Sequence, residues 1–171
     1  EQFIAQTINS ILMQKANFNF QIVIGEDCST DGTRSICETF AEKYSNKIKL
    51  LPALEKNIGL IANYMRTIKA CEGKYIAICD GDDYWTDEFK LQKQVDFLEG
   101  NKDYGMCFTR FQTYEQNDGI FKIDHNSSYF SNSKNYIDFN NVAFFTQFLY
   151  KTKFVNITAG ARYDDHSFYP S

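Results

Sequence analysis

The chain has 171 residues, 43% of them hydrophobic and 16% aromatic, enough apolar side chain for one globular domain with a substantial core. A net charge of −4 without any block of Lys or Arg speaks against a nucleic-acid surface and against a polybasic membrane patch. No apolar run approaches the ~18 residues of a membrane span. The five cysteines lack a C-x-x-C pair and read as small buried hydrophobes in a reducing compartment.

Ile4, Ile8, Ile11 and Leu12 share one helical face, so the chain opens with an amphipathic helix. Residues 20–25 (FQIVIG) form a short β-branched run that predicts a buried strand. A dense set of turn and cap residues follows (EDCSTDG, 26–32), then a helix with Ile36, Phe40 and Tyr44 inward. A second strand is expected over 47–51, ended by Pro52, and a third helix over 60–70, closed by Gly73. Residues 75–79 (YIAIC) predict another strand. Thr86 or Asp87 then caps a helix that turns Leu91, Val95 and Leu98 to one side.

Helix and strand alternate at βαβ spacing through residue 100, which makes an α/β fold with a mostly parallel sheet the economical solution. A sheet of this kind that begins with a helix implies a strand upstream of Glu1. Beyond residue 104 a strand is expected over 104–111; the Asn-, Ser- and Tyr-rich sequence to about residue 141 has no clear period. The sequons at Asn126 and Asn156 are chance matches.

Ligands of open parallel sheets bind beyond the carboxyl ends of the strands. Two acidic clusters fall there: Glu26-Asp27 after one strand and Asp80-Gly81-Asp82-Asp83 after another. Carboxylates this close repel unless a cation or a hydrogen-bonded ligand offsets them. As a plain turn and helix cap the second cluster is ordinary. Its position, matched by the first cluster, favours a hard cation such as Mg²⁺ or Mn²⁺ with open positions for phosphate oxygens. A calcium loop does not fit, since counting from Asp80 puts Trp85 where Gly is needed and Leu91 where Glu is needed. The Ser29-to-Thr33 stretch reads as helix capping that fixes the loop carrying Asp27.

The segments EDCSTDGT (26–33), EKNIG (55–59), CEGKYIAICDGDDYW (71–85) and KLQKQVDFL (90–98) resemble, in order and spacing, the inverting nucleotide-sugar glycosyltransferases of family two. The resemblance implies a GT-A fold, with residues 1–103 as the nucleotide-sugar half and 104–171 as the acceptor half of a single domain. It gives Asp27 the contact to the nucleotide base and places Asn57, Gly59 and Asn63 beside the nucleotide. Asp80 would meet the ribose or the shell of the metal, Asp82 would ligate the metal, and Asp83 belongs to an extended version of the motif. Tyr84 and Trp85 either wall the sugar pocket or pack at the strand end.

Inverting transfer needs a base for the acceptor hydroxyl, and Tyr163-Asp164-Asp165-His166-Ser167-Phe168 resembles the family stretch that supplies it. Asp165 is the expected base, with His166 as its neighbour. The implied cofactor is Mn²⁺ or Mg²⁺. The implied partners are a nucleotide-sugar donor, first of all a UDP-sugar, and a glycan or lipid-linked acceptor. The implied setting is bacterial surface-polysaccharide synthesis, cytoplasmic or at the inner face of the membrane, with any membrane association carried by segments outside this sequence. The resemblance also implies truncation before Glu1 and after Ser171. Two other readings share the acidic clusters: a sugar-phosphate nucleotidyltransferase, which needs a Gly-rich triphosphate loop that is not visible, and a non-catalytic nucleotide-sugar-binding module.

Overall fold

A computed structural model describes residues 1–109, 112–115, 119–123, 149–151 and 155–160. In chain order it gives α1 (Ile4–Leu12), β1 (Gln21–Gly25), α2 (Thr33–Lys43), β2 (Ile48–Leu50), α3 (Leu60–Lys69), β3 (Tyr75–Asp80) and α4 (Lys90–Gly100). Then come β4 (Met106–Cys107), β5 (Gln112–Glu115), β6 (Ile120–Ile123), β7 (Leu149–Lys151) and β8 (Val155–Gly160). The alternation expected through residue 100 is present in full.

Six strands form one sheet in the order β2-β1-β8-β3-β7-β4. β2, β1, β8 and β3 are parallel, while β7 runs antiparallel to both β3 and β4. β8 fills the place between β1 and β3, with Ile157 in register with Ile22 on one side and Ala77 on the other. Tyr75 through Cys79 are buried without the alternation of a one-sided sheet, as expected of a parallel strand covered on both faces. Ile4, Ile8 and Ile11 pack with Ile22, Ile24, Tyr75, Ala77, Trp85, Leu91 and Leu98 in one core.

The hairpin of β5 and β6, within a separate unit of residues 108–146, pairs Gln112 with Ile123 and Glu115 with Ile120. Sequence texture offered no periodicity here, but Asn117-Asp118-Gly119 is a hairpin signal, and Gly119 takes φ +63°.

Several expected boundaries move for local reasons. Among the described residues the strand expected over 104–111 is reduced to Met106–Cys107, which pairs with the three-residue β7. α3 ends at Lys69, beside its expected end near Ala70, but the closing turn comes before Gly73: Ala70 and Cys71 donate back to the Thr67 and Ile68 carbonyls. In α2 the fully buried residues are Thr33 and Cys37; Ile36, Phe40 and Tyr44 pack only partly buried around the core. α4 starts at Lys90, and Asp87 caps the turn before it by accepting from the Phe89 N–H at 2.9 Å.

Gly25, the last residue of β1, meets the middle of α3 with no room to spare. A Cβ there would lie 1.8 Å from the Thr67 Oγ1. Gly25→Ala is therefore expected to destabilise the fold by about 1–3 kcal/mol, measured by urea denaturation. Thr67→Ala in the same chain should recover part of the loss.

Candidate functional site

The carboxyl ends of β1 and β3 carry the two acidic clusters, and two helices hold them through polar side chains turned inward. α1 holds the second cluster. Its Thr7 and Ser10, with Gln14 just past its C-terminal end, are spaced as one helical stripe and are all buried. The Thr7 hydroxyl lies 2.9 Å from the Gly81 carbonyl and 2.6 Å from that of Asp83. Ser10 Oγ accepts from the Trp85 N–H at 3.0 Å, and Gln14 both donates to the Asp87 carbonyl and accepts from the Leu91 N–H. One face of this nine-residue helix, continued by Gln14 just past its end, thus fixes the backbone from Gly81 to Leu91.

α3 holds the first cluster and reaches the second. Asp27 Oδ1 accepts from the Ile58 N–H at 2.8 Å and Oδ2 from the Gly59 N–H at 2.9 Å, so its carboxylate sits at the positive end of the α3 dipole. Asn57 closes the arrangement by donating to the Asp27 carbonyl and accepting from Gly59. Gly59 adopts φ +87°, a left-handed conformation that glycine takes without steric cost. Inside α3, Asn63 donates to the Gly25 carbonyl at 2.8 Å and Arg66 to the Glu26 carbonyl at 2.9 Å. Tyr64, from the same helix, donates its hydroxyl to the Asp80 carboxylate. Burial first, then the Asp80 charge, pushes that phenol well above its ordinary pKa, so it remains a donor.

The structure therefore brings Asp27, Asn57, Gly59 and Asp80 into one hydrogen-bonded frame built on α3. Asn63 is 4% exposed and faces the end of β1, so its position suits bracing. Asp82, Asp83 and Tyr84 are half-buried on the turn after β3. Trp85 is buried under that turn, which favours packing over a wall for a sugar. The expected base Asp165, with Asp164 and His166, lies outside the described residues. Tyr64, Thr7, Ser10 and Gln14 were missed from sequence. The only signal for them was polar residues recurring at helical spacing beside an apolar stripe.

Among the described residues no three His, Cys, Asp or Glu side chains converge as a metal cage. A Mg²⁺-type ion takes one or two carboxylates and completes its shell with substrate phosphates and water. The oxygen-only set at Asp80, Asp82 and Asp83 has the right chemistry for it.

Below the turn lies a buried cation. The Lys90 ammonium sits 4.3 Å from the centre of the Trp85 ring and donates to Gln94 Oε1 at 2.7 Å. Burial lowers its pKa from the ordinary 10.5 to about 8, against the pull of Cys79, Cys107 and Asp87. Burial also raises the Cys79 thiol well above its usual range, followed by the Asp83 charge.

Two outcomes follow from these contacts. Ser10→Ala strands the buried Trp85 N–H and should cost about 1–3 kcal/mol, read by denaturation through the fluorescence of the single tryptophan. Between pH 8 and 10.5 the unfolded chain holds more protons at Lys90 than the folded one, so folding gains as pH rises through that window. The stability of the parent relative to Lys90→Met should therefore climb across the window and stay flat below pH 7.

Comparison with known proteins bears on this frame. The family model described as Glycosyl transferase family 2 matches residues 1–156. An uncharacterized protein of Mycobacterium tuberculosis is 37% identical over 109 residues, covering 63% of this chain and 31% of that protein. A Bacillus subtilis protein provisionally named a teichuronic acid biosynthesis glycosyltransferase is 35% identical over 96 residues, 56% of this chain and 36% of its own length. A dTDP-rhamnosyl transferase of Shigella flexneri is 36% identical over 104 residues, 59% of this chain and 35% of its own. The chain thus spans about a third of the length of the curated relatives it matches. A match over most of its residues, on an α/β sheet with acidic strand ends, establishes that the chain belongs to glycosyl transferase family 2.

Proposed function

We propose that this chain carries the donor-binding site of an inverting, metal-dependent glycosyltransferase. It would move a sugar from a nucleoside-diphosphate sugar to a hydroxyl of a glycan or lipid-linked acceptor in bacterial surface-polysaccharide synthesis. The observation that carries the reading is the single frame made by Asp27 and Asp80 at the ends of two parallel strands, tied together through α3. Asp27 and Asn57 hold a loop of backbone suited to a nucleoside, and Asp80 offers acceptor oxygens to a ribose.

Asp82, with help from Asp80 and Asp83, would hold the divalent cation, Mn²⁺ or Mg²⁺. Once bound, such an ion stabilises negative charge on the departing diphosphate. Asp165 takes the proton of the acceptor hydroxyl as it attacks the anomeric carbon from the opposite side. A UDP-sugar is the first donor to try. The rhamnosyl transferase named above uses a dTDP-sugar by its name, which makes dTDP the second. The teichuronic acid relative supports a cell-surface polysaccharide as the setting.

Calorimetric titration of UDP and dTDP, with Mn²⁺ and then with EDTA, tests the site. Metal-dependent binding is expected, and binding indifferent to EDTA would remove the metal from the reading. Asp82→Asn should abolish the metal-dependent part while leaving the thermal transition in place. Asp165→Asn should keep donor binding and lose transfer by at least about 100-fold; unchanged transfer would exclude it as the base.

A further inference from the structure

α3 is built inside out. Its buried residues are Asn63 and Thr67, both polar, because they serve the ends of the strands. Its large apolar side chains face water instead: Leu60 is 52% exposed, Ile61 69% and Met65 49%, with Ile58 in the preceding turn at 37%. Ile61, Met65 and Lys69 follow one another at four-residue spacing, so the apolar stripe runs directly into an exposed cation. Lys56 stands exposed before the other end of the helix, and neither lysine forms an ion pair among the described residues. The helix contains no acidic residue, in a chain whose net charge is −4.

We propose that this face of α3 is a docking surface for an anionic lipid bilayer. An interfacial helix needs an exposed apolar stripe to enter the acyl boundary and flanking cations to meet the headgroups. Ile61 and Met65, with Ile58 in the preceding turn, provide the stripe, and Lys56 and Lys69 the cations.

A second copy of the chain fits less well. Ten residues at 1.5 Å rise, on a helix about 10 Å wide, present roughly 150 Å², far under the ~800 Å² per partner of a stable interface. Like cations at both ends of the stripe would also face each other across an antiparallel pair.

α3 begins at the two amides held by Asp27, so a bilayer under this face would lie beside the candidate donor site. Only this last consequence, delivery of a lipid-linked acceptor, rests on the transferase reading. The docking itself does not.

The test is flotation of the 171-residue chain with vesicles of phosphatidylcholine alone and of phosphatidylcholine mixed with phosphatidylglycerol. Binding is expected on the mixed vesicles and should fall as salt is raised. Lys56→Gln with Lys69→Gln should weaken it roughly 10- to 30-fold, about tenfold or less per cation. Ile61→Asp with Met65→Asp should abolish it. Both pairs lie on the surface, and the thermal transition and UDP titration of each report whether the fold and the donor site are intact. No binding to either vesicle, equal binding to both, or binding that both double variants retain would overturn the proposal. So would a concentration-dependent dimer in sedimentation that Ile61→Asp with Met65→Asp dissolves. Loss of UDP binding in the parent would count against the donor site and leave the vesicle result standing.

Discussion

A buried backbone carbonyl or amide must find a partner, and at the carboxyl edge of this sheet the strands no longer supply one. Two helices meet that demand with side chains. Thr7 and Ser10 of α1, with Gln14 just past its end, take the backbone after β3, while Asn63 and Arg66 of α3 take the carbonyls that end β1. Each buried polar group so paired avoids a desolvation cost of a few kcal/mol. The loops that carry the acidic residues are therefore fixed by the framework itself, with their carboxylates held at its edge.

The same device couples the two clusters. Asp27 accepts the Ile58 and Gly59 amides that lead into α3, and Tyr64, in the second turn of that helix, reaches Asp80. Movement of α3 is then felt at both carboxylates. The close approach of Thr67 to Gly25 sets how near the helix lies to the sheet. Directly after the second cluster, Trp85 is buried in the core, with the Lys90 ammonium 4.3 Å from its ring centre.

Much of this was legible in the sequence because it rests on periodicity. The apolar stripe of Ile4, Ile8 and Ile11, the unbroken Tyr75–Cys79 run and the placing of acidic residues just past two strands all follow local rules. What escaped depends on partners distant in the chain. Val155–Gly160 enters the centre of the sheet, where neighbours on both sides decide its strand state. α3 buries Asn63 and Thr67 where apolar residues would be the ordinary choice, because Asn63 satisfies the end of β1 and Thr67 packs against Gly25. Asp27 drew attention as a ligand, and the structure adds that it also holds the turn that leads into α3.

Bracing a site with polar side chains has a thermodynamic consequence that an apolar brace would not. Asn63 Oδ1, Arg66 Nε, Trp85 Nε1 and Gln94 Nε2 are buried without a hydrogen-bond partner among the described residues, and the first three belong to side chains at the braced edge. Each unsatisfied atom costs stability, and Cys28, held at φ +59° beside Asp27, adds backbone strain of order 1–3 kcal/mol. The edge that positions the carboxylates is thus less stable than the core of Ile8, Ile22 and Leu98 beneath it. A ligand that engages Asp27 and Asp80 together would bind a frame already shaped for it, and would add stability where the chain by itself has least.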